Sequence, residues 1–159
     1  MNEPAKATAG GALSLIRAVN LQTQPFKLLV ESLWDFGQLG SVAVPEFLDA
    51  FANPAESPFT RHWAMYLVRQ NGGMAMERTH EVLLAAIADP SPVVRRSALD
   101  ALGSIGDSSF IPVIASCLAD QEKDDGSWDE ADCTVAHAAA EALRKIGTPE
   151  ALEALGERS

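Results

Sequence analysis

The chain has 159 residues, 47% of them apolar, and a formal net charge of −10. This length suits one domain that buries a core without disulfides, and the negative charge disfavours nucleic acid and anionic membranes as partners. The two cysteines, Cys117 and Cys133, have no metal-ligand spacing, and no apolar run reaches the roughly 18 residues of a membrane span. With no secretion signal at its start, we expect a cytoplasmic protein with free thiols.

The acidic groups are concentrated in the second half of the chain. Residues 81–159 hold six basic and fifteen acidic side chains, a net charge of −9, whereas residues 1–80 hold six and seven. This distribution favours a protein partner with a basic or mixed surface. The alternative is that the charge serves only solubility.

Residues 1–9 are small and polar, which predicts a disordered tail ahead of a single domain over 10–159. The first helix, Ala12 to Asn20, has apolar residues around much of its circumference. A helix of this kind is either buried by other parts of the protein or exposes an apolar surface that can bind another molecule. Homodimerisation through the N-terminal helix is therefore one hypothesis.

The rest of the chain repeats a pair of helices. Each first (A) helix keeps apolar residues at helical spacing, and its copies superpose at offsets of 36 and 31 residues. The A helices are predicted at 43–53, 79–89 and 110–120. The second (B) helices align at offsets of 34 and 41 residues, and small residues at Ala64, Ala98 and Ala139 would let neighbouring helices approach closely. The B helices are predicted at 60–69, 94–103 and 135–144, with an earlier copy near 26–37.

Glycine and proline mark the helix ends. A glycine follows each B helix, where a left-handed residue is needed after the last turn; these are Gly40, Gly72, Gly106 and Gly147. Prolines occupy first-turn positions; these are Pro45, Pro92, Pro112 and Pro149. Ser91 and Thr148 precede two of them as predicted N-caps. The pattern predicts about nine helices, in four pairs plus a C-terminal capping helix with a polar outer side, and no sheet.

One segment carries a resemblance to a known family. Asp89-Pro-Ser-Pro-Val-Val-Arg-Arg-Ser-Ala-Leu-Asp-Ala-Leu-Gly-Ser-Ile-Gly-Asp107 resembles the D-P-x-x-x-V-R-x-x-A-x-x-A-L-G-x-I-G-D consensus of short HEAT-like repeats. Phycobilisome lyase subunits and many bacterial proteins of unrelated roles contain such repeats. The resemblance is moderate from about 41 to 157 and implies an all-α fold, an α-α superhelix of the short HEAT-like repeat solenoid type.

The resemblance also implies roles for individual residues. In the family, an aspartate and an arginine commonly form a ladder between repeats, and Asp89, Arg95 and Arg61 occupy those positions here. Ala136 replaces the arginine in the last pair, so we expect the ladder to end there. These motif residues serve packing and not chemistry, so the resemblance implies a fold more than an activity.

Aromatic residues fall at B-helix positions that are predicted to be exposed. With Ala98 and Leu102 facing inward, Ser97 and Asp100 should face outward. The residues equivalent to these two in the first two repeats include three large aromatics: Trp34, Trp63 and Tyr66. Since B helices line the concave face of HEAT-like arrays, the resemblance implies a partner-binding groove here. Burial of these rings in a terminal core is the alternative.

Further residues are assigned to the predicted groove by their place on the B helices. His62 and Arg69 flank the aromatics, and Arg96 and Asp100 lie on the next B helix. Aromatic and arginine side chains are the usual anchors of protein interfaces. We therefore predict that these residues contact a protein partner.

An acidic insertion of about ten residues lies near 120–132, with seven carboxylates against Lys123. Gln121 and Lys123 would fall at the first and third ligand positions of an EF-hand, which argues against a calcium-binding loop of that type. The insertion is therefore either solvated or a second contact with the partner. Trp128 in so polar a run favours the contact.

No other pattern indicates catalysis. His80-Glu81 is similar to the His-Glu pairs of HEAT-type di-iron hydroxylases, but that family uses several pairs, so we expect no metal and no cofactor. Nucleophile motifs and phosphate loops are missing as well. The sequence predicts a non-catalytic protein–protein interaction module, either an adaptor or scaffold or an inhibitor-type binder. The family resemblance alone suggests an alternative, a bilin lyase or isomerase subunit or a chaperone of chromophorylated protein.

Overall fold

The computed structural model describes residues 8–18, 31–32, 34–123 and 134–156. All regular structure in these residues is helical, and they contain no strand, which confirms the predicted all-α class. The chain forms two compact units, Met1–Gly73 and Met74–Ser159. No helix in the described ranges is both long and apolar enough to span a bilayer. The single domain over 10–159 and the tail over 1–9 stay predictions.

The first unit contains three helices with defined bounds, and residues 31–32 and 34–36 are also helical. The three helices are α1 (Ala9–Ala18), α2 (Val44–Ala52) and α3 (Pro58–Gln70). The second unit contains the remaining five. They are α4 (Glu77–Ala86), α5 (Pro92–Ile105), α6 (Ile111–Ala115), α7 (Val135–Ile146) and α8 (Pro149–Ala154). In the described residues these make nine helical segments, the predicted four pairs and capping helix.

The core of the first unit lies between α1, α2 and α3. Helix α1 begins three residues before its predicted start, because the hydroxyl of Thr8 accepts a hydrogen bond from the backbone N–H of Gly11 at 3.0 Å. Leu13 and Ile16 of α1 are buried, so they are covered within the unit. The predicted end at Asn20 lies outside the described residues, and homodimerisation through this helix stays a prediction.

The core of the second unit is centred on α5 and α7. Ala98 and Ala139 are fully buried, as their small size predicted. The closest approach is at Gly103, where a Cβ atom would lie 2.7 Å from the Cα of Ala142. Such a distance leaves no room for any side chain at that position. The two helices therefore pack nearly backbone to backbone.

The glycine and proline predictions are confirmed at the helix ends. The four glycines that follow B helices have φ between 67° and 78°, which only glycine adopts without strain. Thr148 caps α8, because its Oγ1 accepts the N–H of Ala151 at 3.3 Å. Ser91 stands at the N-cap of α5 as predicted, although its side chain makes no cap bond. Its own N–H instead donates to Oδ1 of Asp89 at 2.9 Å.

Candidate functional site

Helix α3 carries four ring side chains on one face: Phe59, His62, Trp63 and Tyr66, which we call the ring stripe. The spacing of three, four and seven residues brings them over one another on successive turns. The centroids of Trp63 and Tyr66 are 5.4 Å apart with the rings inclined at 70°. Trp63 also makes edge contacts with His62 at 5.5 Å and with Phe59 at 6.2 Å. Trp63 is therefore the centre of the stripe.

The local sequence explains why α3 holds the stripe in place. Pro58 is its first residue, and the hydroxyl of the N-cap Ser57 accepts the N–H of Thr60 at 3.1 Å. The opposite face of the helix supplies the core, with Ala64, Met65 and Val68 buried. Because that face is anchored, the ring stripe is held at the boundary between core and solvent.

The exposure of the predicted aromatics differs from one to the next. Trp34 is 75% exposed, as expected from its position. Trp63 and Tyr66 are half-buried instead of exposed, because each ring lies against its neighbours in the stripe. Phe59 was missed by the sequence reasoning, although its spacing of four residues from Trp63 was a usable signal.

The other predicted partner-binding residues lie in different places. Arg69 is half-buried on α3, whereas Arg96 and Asp100 are half-buried on α5 in the second unit. Asp100 forms an ion pair with Lys145 of α7. Ser97 is 7% exposed, so the prediction that it faces outward is wrong, because α5 is buried around most of its circumference. Trp128 lies outside the described residues.

His80 and Cys117 both make contacts that are typical of residues with a structural role. Nε2 of His80 donates to the carbonyl of Met74 at 2.8 Å, and its ring meets that of Phe110 at 5.5 Å. Burial raises the pKa of the free thiol of Cys117. No three His, Cys, Asp or Glu side chains in the described part of the chain converge to hold a metal ion.

Comparison with protein-family models gives two overlapping matches to HEAT repeats, at residues 44–131 and 81–159. The chain belongs to the HEAT-repeat family. No curated protein matches it. HEAT repeats commonly mediate protein–protein interactions through their helical surfaces. The ring stripe therefore lies on the second helix of the first matched HEAT repeat.

Arg95 makes a polar contact between HEAT repeats in the second unit. Its Nε donates to Oδ2 of Asp120 at 2.9 Å, and Asp120 aligns with Asp89 at the offset of 31 residues. Nη2 donates to Oε2 of Glu122 at 2.5 Å, and Nη1 donates to the backbone carbonyl of Asp89 at 2.7 Å. Burial opposes the charge of Arg95, but the bonds with Glu122 and Asp120 outweigh it and raise its pKa.

Arg61 is the equivalent of Arg95 in the first unit. Whereas Arg95 also contacts the next repeat, Arg61 contacts the other helix of its own pair. Its Nε donates to the carbonyl of Phe51 at 2.7 Å, and its guanidinium lies 5.8 Å from the centroid of the Phe51 ring. This contact joins α3 to the end of α2. A continuous ladder through Arg61, Asp89 and Arg95 stays a prediction.

The base of the acidic insertion is closed by backbone hydrogen bonds. The N–H of Val135 donates to the carbonyl of Glu122 at 2.9 Å, and the N–H of Ala136 donates to that of Asp120 at 2.7 Å. These bonds, together with Arg95, fix the two ends of the insertion at the HEAT repeat. Residues 124–133 between them lie outside the described part of the chain.

Proposed function

We propose that this HEAT-repeat protein is a non-catalytic protein-interaction module, an adaptor, scaffold or inhibitor-type binder that acts in the cytoplasm. The observation that carries the proposal is the ring stripe of α3 together with Trp34. Trp and Tyr are the side chains most often found as interface anchors, because they offer a large apolar area and lose little conformational entropy on binding.

The exposure of Trp34 supports the proposal most directly. An indole that is 75% exposed keeps most of its apolar area in water. Its burial by a partner would recover free energy at about 25 cal/mol per Å² of apolar surface. The half-buried rings of Trp63 and Tyr66 are already held by their neighbours, so little side-chain freedom remains to be lost when a partner covers them.

The charge distribution supports a partner with a basic or mixed surface. Helix α3 contains no Asp or Glu although the chain holds 22 of them, so it offers the aromatic rings of the ring stripe and Arg69 but no negative charge of its own. The net charge of −9 over residues 81–159 would attract basic groups of the same partner. The proposed partner therefore offers apolar side chains to the ring stripe and positive charge to the acidic residues.

The test begins with affinity capture of the partner from the source organism by the tagged full-length chain, followed by calorimetry with the purified partner. Replacement of Trp63 and Tyr66 by alanine should weaken binding about 30-fold or more, which corresponds to about 2 kcal/mol for one anchor. The far-ultraviolet circular dichroism spectrum should stay that of the wild type.

The matched control is Leu84→Ala. Leu84 is a large apolar residue of α4 that is 41% exposed and belongs to an A helix. Its truncation removes exposed apolar area without changing any residue of the ring stripe or of α3, so affinity should be unchanged. Wild-type affinity in the Trp63→Ala, Tyr66→Ala variant would refute the proposed surface.

A further inference from the structure

Asn71 occupies a position that is apolar in the other repeats. The residues aligned with it are Leu39, Ile105 and Ile146. Asn71 is nevertheless 5% exposed, as buried as a core residue. Burial of an amide costs free energy unless each of its polar atoms finds a partner. The structure shows such partners.

The carboxamide of Asn71 makes three hydrogen bonds to backbone groups. Its Nδ2 donates to the carbonyl of Phe36 at 3.0 Å and to that of Leu67 at 2.8 Å. Its Oδ1 accepts the N–H of Gly40 at 2.7 Å. Because a carbonyl only accepts and an N–H only donates, a single orientation of the amide satisfies all three.

These three bonds join the two segments that carry the proposed interface. Phe36 lies two residues after Trp34, and Gly40 closes the turn that follows. Leu67 belongs to α3, one residue after Tyr66 of the ring stripe. The end of the Trp34 segment is thus tied to the end of α3 by one side chain.

We infer that Asn71 is a positioning residue, which fixes the segment of Trp34 relative to the ring stripe and so sets the geometry of the interaction surface. The inference rests on the proposed function of that surface. An isoleucine, which two aligned positions contain, could fill the same space. It has neither donor nor acceptor, so it would pack without holding the turn between Phe36 and Gly40.

The test is Asn71→Ile in a background with Trp63→Phe and Trp128→Phe, which leaves Trp34 as the single tryptophan. The variant should keep the helical content of its parent. The amide of Gly40 should exchange with solvent roughly tenfold faster, because its acceptor is gone. The time-resolved fluorescence anisotropy of Trp34 should show a larger amplitude of fast motion.

Thr148→Ala in the same background is the matched control. It removes a helix cap in the other unit and lowers stability without touching Asn71. A general loss of stability would move the Gly40 and Trp34 signals in both variants. A positioning role changes the Gly40 exchange rate and the Trp34 anisotropy in Asn71→Ile alone.

Two results would overturn the inference. One is that Asn71→Ile leaves both the exchange rate of the Gly40 amide and the fluorescence anisotropy of Trp34 equal to those of its parent. The other is loss of folding in that variant, which would make Asn71 a requirement of the core.

With a purified partner and tryptophans otherwise intact, Asn71→Ile should weaken binding about fivefold, and this effect should vanish when Trp34 is alanine. If the ring stripe proves dispensable for binding, the proposed function fails while the Gly40 and Trp34 measurements still decide the positioning role.

Discussion

The backbone of Gly103 in α5 lies against that of Ala142 in α7, so that a single added carbon at residue 103 would stand 2.7 Å from the Cα of Ala142. This contact is between backbones, which cannot rotate aside as a flexible side chain can. The close packing of the second unit therefore depends on the absence of one methyl group.

Gly103→Ala should destabilise the protein by about 2 kcal/mol, because overpacking forces the two helices apart. The improved helix propensity of alanine, about 1 kcal/mol, is not enough to offset this cost. Chemical denaturation with urea measures the change. Ser104→Ala, an exposed change on the next residue, should stay within about 0.5 kcal/mol of the wild type. Equal stability of Gly103→Ala and wild type would contradict the backbone contact.

Arg95→Ala should lower the free energy of unfolding by about 2 kcal/mol, since it leaves the partly buried carboxylate of Asp120 without its cation. The side chain of Asp120 is 25% exposed, which keeps the loss below that of a fully buried pair. Arg95→Lys retains the charge but not the several fixed donors of the guanidinium, so it should recover only part of the lost free energy of unfolding. Denaturation of the three proteins at one ionic strength gives the order. Recovery of full stability by lysine would show that geometry is unimportant there.

Thr148→Ala should cost about 1 kcal/mol, whereas Ser91→Ala should cost little, because only Thr148 makes a side-chain cap bond. Both residues precede a proline at the start of a helix, so the sequence context is matched. Thermal denaturation distinguishes the two. Equal losses would mean that the hydroxyl of Ser91 caps α5 in solution.

The thiol of Cys117 should react slowly with iodoacetamide in the native state and rapidly after unfolding. Burial raises its pKa in the folded protein by disfavouring the thiolate. Since the folded pKa is the higher one, this thiol contributes stability that is complete below the unfolded value of about 8.5 and is lost as pH rises through the folded value. The Cys133→Ser variant isolates the signal, and Cys117→Ala in addition should remove this part of the pH dependence. Labelling of native Cys117 as fast as that of a free thiol would contradict its burial.

The ends of α5 and α7 could be predicted because they depend on local chemistry, whereas the predicted A helix at 110–120 is helical as α6 only over Ile111–Ala115. Gly106 and Gly147 end their helices through a backbone conformation that side chains disfavour, and this requirement is visible in one sequence. The burial of Ser97 could not be predicted, since it depends on how much of the circumference of α5 is covered by other residues of the fold.

The candidate site was predictable in composition but not in arrangement. Spacing along α3 placed Trp63 and Tyr66 on one face, yet the mutual contact that half-buries them depends on ring orientations. The sequence alone indicated no role for Asn71. Its role became visible through Phe36 and Gly40, which are 35 and 31 residues away in the chain.

The closed base of the acidic insertion has a consequence for protein engineering and for divergence within the family. Because the pairs Val135–Glu122 and Ala136–Asp120 are bonded at the base, the chain between them can change in length without altering the register of the flanking helices. Doubling a loop costs only about 0.6 kcal/mol of closure entropy. An epitope or a whole reporter domain grafted there should leave the repeats folded, so this point of the chain accepts new sequence at little thermodynamic cost.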